Sequence, residues 1–474
     1  MEGSPLDAVK AWFANGSRKT FTPRKYEVNN SDPMNIKTCK INLAAAAVAL
    51  LTLMSVNSAL AQGALANGST TGGTITLVGE AHSWTFSATN GDAIVIRVGD
   101  VTNLNLAVFT PRLRLFSPSA VQIATDFGSS AAEVAVTATN TGTFTVVVDD
   151  LSGTGGGAYR LTLAKTGSAV NVASGDTGGL MTNGYTHTGM IDTGDIDIWT
   201  FNANVGEAIV VRMGEITDTN VFFPWVRIYG PNGVLLDSGA NQSVGEVTAR
   251  ATNSGAFLVV VSDGNGTRSG SGAYRLTLAK TGSPLLISAG DEGGQMSGVS
   301  SYSGTIGTGD LDAWTFTAFA GDNIVLQMNE LSGTNVFTPW LRIYNPAGVL
   351  IANDARPIGT TITELVTNSG TFLVIAGDGN GIRGGTGTYS LTVNGLSDAT
   401  KLGRTAITGT NVTITAVGGT AGAGLVLLTS TNIATPAASW SPIQTNSFDQ
   451  YGVFNLSSQF NPAEPKRFFR LALP

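Results

Sequence analysis

The chain has 474 residues, of which 42% are hydrophobic and 12% charged, and it contains 60 glycines. The low charge content excludes a coiled coil, and the hydrophobic share excludes a disordered chain. The formal net charge of −7 argues against a nucleic-acid partner, because such binding needs a basic surface. A glycine-rich chain of this length predicts an all-β protein with tight turns and about three domains.

Residues 34–61 are typical of a secretory signal peptide. Two lysines precede the apolar run 41–56, which is shorter than the roughly 20 residues that a membrane-spanning helix needs. The cleavage motif Ala59-Leu60-Ala61 follows, directly before Gln62. The sequence therefore predicts a secreted or cell-surface protein whose mature chain starts at Gln62 and has no transmembrane segment.

The residues before this leader, 1–33, have no place in a signal peptide, whose basic region is normally short. We interpret them as an upstream extension and Met34 as the true start of translation. The only cysteine, Cys39, lies in the leader. The exported chain is then free of cysteine and must be stable without disulfides.

One unit occurs three times along the chain. The segment 158–168 recurs without change at 273–283, and a degenerate copy follows at 388–393. A Trp-Thr-Phe tripeptide recurs at intervals of 115 residues, with its tryptophan at Trp84, Trp199 and Trp314. A repeat of this length is a complete domain. We therefore predict three domains and a small C-terminal β-rich module, at 62–168, 169–283, 284–396 and 397–474.

Within each unit, hydrophobic residues alternate with polar ones, which is typical of β-strands with one buried face. Short runs rich in β-branched residues are separated by turns that contain Pro, Gly or Asn. Roughly six to eight such strands in about 110 residues predict a β-sandwich in each unit. We assign the three Trp-Thr-Phe tryptophans to the sandwich cores.

The second unit shows an ordered set of motifs. They are Asp-Ile-Trp-Thr-Phe at 197–201, Val-Gly-Glu at 205–207, Pro-Trp-Val-Arg-Ile-Tyr at 224–229, Thr-Asn-Ser-Gly at 252–255 and Gly-Ala-Tyr-Arg-Leu-Thr at 272–277. This order, repeated over about residues 68–396, resembles the bacterial pre-peptidase C-terminal domain family, relatives of the collagen-binding domains of secreted collagenases. The resemblance implies a jelly-roll-like β-sandwich that is exported, non-catalytic and often appended to a peptidase. This chain departs from that pattern because it contains no peptidase.

The inventory of side chains argues against an enzyme. Without the leader, the chain has no cysteine and only two histidines, His82 and His187, and a Ser-His-Asp triad would need one of them. Two Asp-Thr-Gly tripeptides, at 176–178 and 192–194, lie in one repeat, whereas an aspartic-peptidase dyad needs loops from two lobes. We interpret both as turns and predict a non-catalytic protein. Two histidines also disfavour a zinc site.

An aromatic and arginine pattern occupies one strand in each of the second and third units. In 225–229 and 340–344, strand alternation places the aliphatic side chains on one face and the aromatic and arginine side chains on the other. The aliphatic face is the expected core, because unpaired arginine is rarely buried. The other face is a candidate ligand-binding stripe, formed by Trp225, Arg227, Tyr229, Trp340, Arg342 and Tyr344. The alternative is that the stripe packs on the neighbouring repeat or under a loop.

Acidic residues cluster near the start of the second and third units. The candidate metal ligands are Asp176, Asp195, Asp197, Asp291, Glu292, Asp310 and Asp312. Carboxylates at close range repel one another unless a hard cation neutralises them, and calcium accepts about 6–8 oxygen ligands with loose geometry. The related collagen-binding domains use calcium between an N-terminal linker and the sandwich, and these positions correspond in order. The alternative is that the acids face water beside turns.

The first unit has Glu80 and His82 in place of the pair Asp195 and Asp197, so we expect it to bind calcium poorly or not at all. The residues predict an exported, non-catalytic array that binds an extracellular polymer, either a protein fibre or a polysaccharide. Two alternatives stay open, a structural cell-surface spacer or surface-layer protein without a specific ligand and the accessory chain of a secreted hydrolase.

Overall fold

The computed structural model describes residues 59–472 except 105–106, 217–221, 298–299, 334–335, 397–400, 418–421, 450–452, 460 and 465. The described chain is nearly all β-strand, as predicted, with one 3₁₀ turn at Ala437–Ser439. Within it, no helix is long and apolar enough to span a membrane. The interpreted extension, 1–33, and nearly all of the predicted signal peptide, 34–61, lie outside the described residues.

Repeat 1 is built from nine strands. These are β1 (Leu60–Ala64), β2 (Thr70–Thr74), β3 (Ala81–Ala88), β4 (Ala93–Asn103), β5 (Pro111–Phe116), β6 (Gln122–Phe127), β7 (Ala131–Thr137), β8 (Gly142–Asp150) and β9 (Gly157–Lys165). A five-stranded sheet has the order β1-β3-β8-β5-β6, and a four-stranded sheet has the order β2-β9-β4-β7. Neighbouring strands are antiparallel except β1 and β3, which run parallel.

Repeats 2 and 3 have the same architecture. Repeat 2 consists of β10 (Gly178–Leu180), β11 (Thr186–Ile191), β12 (Ile196–Ala203), β13 (Ala208–Glu215), β14 (Pro224–Tyr229), β15 (Leu235–Ala240), β16 (Val244–Arg250), β17 (Gly255–Asp263) and β18 (Gly272–Lys280). Repeat 3 consists of β19 (Gly293–Gln295), β20 (Ser300–Ile306), β21 (Leu311–Ala318), β22 (Asn323–Ser332), β23 (Pro339–Tyr344), β24 (Leu350–Ala355), β25 (Gly359–Leu365), β26 (Gly370–Asp378) and β27 (Gly387–Asn394). Their sheets have the orders β10-β12-β17-β14-β15 and β11-β18-β13-β16, then β19-β21-β26-β23-β24 and β20-β27-β22-β25.

The C-terminal module is smaller and has a different topology. Its strands are β28 (Lys401–Thr408), β29 (Asn411–Val417), β30 (Gly424–Ser430), β31 (Ser441–Ser447), β32 (Val453–Gln459) and β33 (Phe468–Ala472). They form two three-stranded sheets, β28-β29-β32 and β31-β30-β33. A separate apolar core includes Ile414, Leu427, Phe448 and Phe454.

Each repeat buries its own core between its two sheets. Successive side chains of a strand point to opposite faces, so alternate residues face inward. The three Trp-Thr-Phe tryptophans are buried, as expected. The phenylalanine of each tripeptide stacks on a phenylalanine of the next strand, with ring centroids 5.2–5.5 Å apart, in the pairs Phe86–Phe144, Phe201–Phe257 and Phe316–Phe372.

The first strand of repeat 1 begins within the predicted signal peptide. Two of its backbone pairs lie after the predicted cleavage point, Gly63 with Trp84 and Ala64 with Thr85. They involve the same positions of the Trp-Thr-Phe strand that the short strands β10 and β19 use in the other repeats. Cleavage before Gln62 would therefore keep two of the three pairs that the repeats share and remove the third, Ala61 with Ser83.

The repeats stack through the outer faces of their sheets. The four-stranded sheet of each repeat packs on the five-stranded sheet of the next. The first junction buries Ala93, Val95 and Ala164 against Ile196, Ile198, Tyr229, Leu258 and Val260. The second buries Ala208, Val210 and Ala279 against Leu311, Ala313, Tyr344, Leu373 and Ile375. The six sheets of the three repeats thus form one stack.

Facing glycines allow the backbones to approach closely at each junction. Gly99 lies against Gly194, and Gly214 lies against Gly309. A Cβ atom on any of these four residues would collide with the Cα atom of the opposing glycine. Any larger residue here would push the two repeats apart.

A buried carboxylate of repeat 1 is shared by two arginines at the first junction. Glu133 lies on β7, and Arg97 of the neighbouring strand β4 contacts its Oε2 at 2.8 Å. Arg227 of repeat 2 binds both oxygens, with Nη1–Oε1 at 2.6 Å and Nη2–Oε2 at 3.0 Å. All three side chains are buried. A second ion pair joins Arg268 of repeat 2 to Asp126 of repeat 1 at 2.7 Å.

The second junction has the same arrangement. Arg212 Nη2 lies 2.6 Å from Oε2 of Glu246, and Arg342 of repeat 3 binds both oxygens of that carboxylate at 3.0 Å. Arg383 of repeat 3 adds a third guanidinium group, 3.0 Å from Oε1. In both junctions one repeat supplies the carboxylate and the next repeat supplies the bidentate arginine.

These arginines decide the charge state of the two glutamates. Burial by itself would raise the pKa of each glutamate, but the surrounding guanidinium groups outweigh burial and lower the pKa of Glu133 and of Glu246 to about 2. Both side chains therefore stay ionised at neutral pH. Each junction holds a buried network of paired charges.

Of the two interpretations of the aromatic and arginine stripe, an exposed ligand-binding surface is wrong for its arginines and tyrosines. The junctions bury Arg227, Tyr229, Arg342 and Tyr344, whereas Trp225 and Trp340 are half-buried. The stripe guanidinium lies over its tryptophan ring at 3.9 Å in repeat 2 and 4.2 Å in repeat 3. The arginines tolerate burial because a glutamate of the preceding repeat neutralises them. The stripe packs on the neighbouring repeat, as the other interpretation predicts.

Removal of the shared carboxylate is expected to destabilise the chain. In Glu133→Gln or Glu246→Gln, buried arginines lose the charge that neutralises them, so the free energy of unfolding should fall by about 3–5 kcal/mol. Chemical denaturation followed by tryptophan fluorescence measures the change. Arg356→Gln is the control, because this arginine is largely exposed and its pair with Asp354 should contribute at most about 1 kcal/mol. Equally small losses in all three variants would contradict the role given to the glutamates.

The junctions also predict how stability depends on pH. A carboxylate with a lower pKa in the folded chain contributes stability above its unfolded pKa and loses that contribution as pH falls towards the folded value. The junctions should therefore weaken between about pH 4.5 and pH 2. Acid titration followed by tryptophan fluorescence tests this, and the double variant Glu133→Gln/Glu246→Gln should lose this part of the pH dependence. The same acid profile in both proteins would contradict it.

Candidate metal sites

Two turns meet at the start of repeats 2 and 3, because the first strand of each five-stranded sheet runs parallel to the Trp-Thr-Phe strand. In a parallel pair, the residues that precede both strands lie at the same edge. Asp176, before β10, thereby lies close to Asp195 and Asp197 at the start of β12, with one carboxylate oxygen of each within 4.8 Å of the others. Repeat 3 gathers its equivalents in the same way, Asp291, Asp310 and Asp312.

A tyrosine binds the third aspartate of each triad. The hydroxyl of Tyr274 donates to Oδ2 of Asp197 at 2.6 Å and accepts a hydrogen bond from Nε1 of Trp199 at 3.0 Å. The corresponding distances in repeat 3 are 2.5 and 3.0 Å, for Tyr389, Asp312 and Trp314. The other oxygen of both aspartates, Oδ1, is buried and has no hydrogen-bond partner among the described residues. Such an oxygen is costly unless something satisfies it.

Burial and mutual repulsion oppose the ionisation of the triads. Burial and, next, the Asp195 carboxylate raise the pKa of Asp197 to about 9. Burial and the Asp176 carboxylate raise the pKa of Asp195 to about 6. In repeat 3, burial and the carboxylate of Asp310 raise the pKa of Asp312 well above its usual value. A cation at the triad would oppose these shifts, because it stabilises the ionised form of every carboxylate.

The preceding repeat brings one positive charge to each triad. Arg160 of repeat 1 lies 3.4 Å from the carboxylate of Asp195 and also contacts the exposed Asp192. Arg275 of repeat 2 lies closer to its partner, 2.8 Å from Asp310. One guanidinium group compensates only part of the charge of three carboxylates, and it does so at shorter range in repeat 3.

The triads are also linked to the junctions through the backbone. Nη1 of Arg97 donates to the carbonyl oxygen of Asp195 at 3.2 Å, and Nη1 of Arg212 donates to that of Asp310 at 2.8 Å. The arginine that binds the junction glutamate therefore also holds a triad residue of the next repeat.

Glu292, the remaining predicted ligand, does not belong to the triad of repeat 3. Its carboxylate accepts a hydrogen bond from the backbone N–H of Thr305, and burial raises its pKa. The structure thus gathers all the predicted ligands except Glu292 into two triads. Metal binding itself stays a prediction.

Repeat 1 fills the equivalent place without an acidic triad. His82 stands at the position of Asp197, and its Nδ1 lies 2.8 Å from the hydroxyl of Tyr159. Its Nε2 lies 3.1 Å from Oε1 of Glu80, whose other oxygen accepts backbone hydrogen bonds from the turn that precedes it. No acidic residue stands at the position of Asp176, because the segment 59–64 contains none. The one carboxylate at this place, Glu80, is therefore hydrogen-bonded at both oxygens.

The second histidine has an aromatic environment. His187 lies between Tyr185 and Trp199, with ring centroids 5.0 and 4.9 Å away, and its Nε2 accepts a hydrogen bond from the backbone N–H of Thr182. Among the described residues, neither His187 nor His82 is hydrogen-bonded to a serine hydroxyl, as a Ser-His-Asp triad would require.

Two groups of residues around the triads were missed in the sequence. They are the tyrosine that binds the third aspartate and the arginine that the preceding repeat supplies. A signal was present, because this tyrosine and arginine are adjacent in the strand motif of the first two units, at 159–160 and 274–275. Adjacent strand residues point to opposite faces, and only the stacking of the repeats shows that the arginine reaches the triad of the next repeat.

Comparison with known proteins gives distant likenesses. No protein-family model matches the chain, and no curated protein matches it. The pre-peptidase C-terminal domain of collagenase from Bacillus anthracis is 17% identical, with 22% of this chain and 96% of that chain covered and a TM-score of 0.18. A structure of Sulfolobus turreted icosahedral virus is 13% identical, with coverages of 66% and 84% and a TM-score of 0.17. At such TM-scores these likenesses carry no argument about function.

Proposed function

We propose that the chain is an exported, non-catalytic array of three β-sandwich domains that attaches to an extracellular polymer, either a protein fibre or a polysaccharide, and that calcium stabilises it. The domains are proposed to be pre-peptidase C-terminal domains with boundaries at 62–168, 169–283 and 284–396, followed by the module at 397–474. The signal-peptide pattern at 34–61 supports a secreted or cell-surface location.

The stack of like repeats is the observation that carries this proposal. Both junctions use the same sheets and the same buried contacts between arginine and glutamate, so the three similar sandwiches keep a fixed relation. A fixed series of similar surfaces suits a polymer with a repeating structure, because binding by one repeat raises the effective concentration of the others at neighbouring sites. Because the junctions cover the stripe, a polymer would contact the lateral surfaces of the stack.

The environments of the two histidines support a non-catalytic role. His82 is paired with Glu80 and Tyr159, and His187 packs between aromatic rings. Of the Asp-Thr-Gly aspartates, Asp176 lies in a carboxylate triad and Asp192 pairs with an arginine.

The donor set of the triads fits calcium. Every side-chain donor is a carboxylate oxygen, which suits a hard cation better than zinc, whose protein ligands are mainly nitrogen and sulfur. Asp197 and Asp312 each offer a buried oxygen that lacks a hydrogen-bond partner in the part of the chain that the structure describes. Calcium would be held by Asp176, Asp195 and Asp197 in repeat 2, and by Asp291, Asp310 and Asp312 in repeat 3. Once bound, it would neutralise the carboxylates and join the turn before the first strand to the Trp-Thr-Phe strand.

We expect an uptake of about two calcium ions per chain and a melting temperature that rises with calcium. Asp197→Asn and Asp312→Asn should each remove one ion in isothermal titration calorimetry. The site of Asp197 should be the tighter one, because Arg275 lies closer to Asp310 than Arg160 does to Asp195. Glu80→Gln, at the matching place in repeat 1, is the control and should leave the number of ions unchanged.

Two results would contradict this prediction. An absence of uptake at millimolar calcium, with melting unchanged by a chelator, would leave the triads as buried acids compensated by arginine. A third ion that is lost in Glu80→Gln would show that the pair of Glu80 and His82 does not exclude a cation from repeat 1.

A structural cell-surface spacer is the second candidate function. The burial of Arg227 and Arg342 favours it, because the side chains most typical of a recognition surface serve to join the repeats. A spacer needs a stack of fixed length and no ligand. The accessory chain of a secreted hydrolase has no comparable observation in its favour.

Pull-down on insoluble collagen, cellulose, chitin and peptidoglycan separates the two functions. We expect retention on one of these polymers, with weaker retention of Glu246→Gln, in which the relation between repeats 2 and 3 is loosened. Arg356→Gln should be retained like the unchanged chain. Retention on none of the polymers would favour the spacer, and equal retention of Glu246→Gln would contradict binding through several repeats.

A further inference from the structure

Each internal junction is made from two different faces. The glutamate face is the outer face of a four-stranded sheet and carries Arg97, Glu133 and Arg160 in repeat 1 and Arg212, Glu246 and Arg275 in repeat 2. The arginine face is the outer face of a five-stranded sheet and carries Trp225, Arg227 and Tyr229 in repeat 2 and Trp340, Arg342 and Tyr344 in repeat 3. The glutamate face of repeat 3 and the arginine face of repeat 1 form the two ends of the stack.

The glutamate face of repeat 3 has lost its charged residues. In the strand pairing, Gln327 stands opposite Thr361, whereas the same positions in the other repeats pair an arginine with the junction glutamate. Asn329 stands opposite Ser390, where the other repeats pair the close-packed glycine with Arg160 or Arg275. This face therefore lacks the junction carboxylate, and Asp354, at the position of Asp126, pairs with Arg356 of its own repeat.

The apolar part of that face is also reduced, because Val325 keeps the place of Val95 and Val210 but the alanines beside it are replaced. The alanines that repeats 1 and 2 bury at their junctions correspond to Asn323 and Asn394 in repeat 3. Asn323, Gln327 and Thr361 are exposed, whereas their counterparts in the other repeats are buried or nearly so. An uncharged polar face of this kind gains little from being covered.

The arginine face of repeat 1 supplies its own carboxylate. Arg112 replaces the junction tryptophan, and Asp149 stands opposite it, where the other repeats have Ser262 or Gly377. Arg112 binds both oxygens of Asp149 at 2.8 Å. Arg114, the counterpart of Arg227, lies 2.6 Å from Oδ2 of the same group. The negative charge that repeats 2 and 3 receive from a neighbour is thus provided from within.

The apolar residues of this face are smaller and more polar than those of repeat 2. Ala81, Ser83 and Thr145 take the places of Ile196, Ile198 and Leu258 in the strand pairing. The face has lost apolar area at these three positions, keeps Val147 and gains the exposed Phe127 beside Arg112, and it no longer needs a partner carboxylate.

We infer that the stack is closed at both ends, so that the interface between repeats operates only within one chain and a second copy cannot extend it. A terminal repeat with a polar outer face ends an array of repeats, and here the two ends are altered in complementary ways. The partner that each internal face fits is the adjacent repeat of the same chain. The number of sandwiches in a stack is thereby fixed at three.

Restoring the two faces in separate variants tests this inference. One variant of the exported chain carries Ser83→Ile, Arg112→Trp, Thr145→Leu and Asp149→Ser. The other carries Asn323→Ala, Gln327→Arg, Asn329→Gly, Thr361→Glu, Ser390→Arg and Asn394→Ala. In sedimentation velocity at micromolar concentration, neither variant alone nor the unchanged chain should associate through these faces. An equimolar mixture of the two variants should form a 1:1 complex. A first variant that carries Arg112→Glu instead of Arg112→Trp should not form this complex.

A mixture that stays monomeric although circular dichroism shows both variants folded would overturn the inference. If a variant does not fold, the association of the unchanged chain tests the inference instead. Association of the unchanged chain that Arg112→Glu or Gln327→Glu weakens would show open ends and overturn the inference. A monomer, or association that neither substitution affects, supports it.

Discussion

The stack depends on a carboxylate that one repeat buries and the next repeat completes. Without Glu133 or Glu246, each junction would hold buried guanidinium groups with no charge to neutralise them, and without the arginines the carboxylate would be buried alone. Apolar contact between two sheets would tolerate sliding or rotation. The bidentate pairing of arginine and glutamate accepts one register, and the facing glycines require the same close approach. Charge and sterics therefore fix a relation that apolar area alone would leave loose.

The junctions and the candidate metal sites belong to one network. Arg97 binds Glu133 and also the carbonyl oxygen of Asp195, while Arg160 of the same sheet lies against the Asp195 carboxylate. The charge state of a triad and the docking of its repeat are therefore thermodynamically linked. Repeat 1 has no described neighbour on that side, and it alone replaces the triad by Glu80 and His82. The same logic appears at Asp149, where charge balance is again reached within the repeat.

Strand alternation and the repeat interval were enough to predict the sandwiches, the buried tryptophans and the gathering of the aspartates. Alternation failed at Arg227 because it tells which side chains share a face and not what covers that face. The partner, Glu133, lies in another repeat, and its pairing with Arg97 and Arg227 depends on how whole sheets stack. The acids were found because they precede the Trp-Thr-Phe strand at a constant spacing. Glu292 was misplaced for a local reason, since its side chain binds a backbone N–H beside the triad.

The connection between repeats gives the stack a mechanical property. Between β9 and β10 the chain has only residues 166–177, and its path is held by Asn67, which binds the carbonyl oxygens of Lys165, Ser168 and Ala169. Twelve residues can extend to about 40 Å at most. If tension along the chain pulled one junction open, the two sandwiches could separate only by this short distance without unfolding. The released faces would stay close enough to meet again when the load fell, so that each junction would act as a reversible tether.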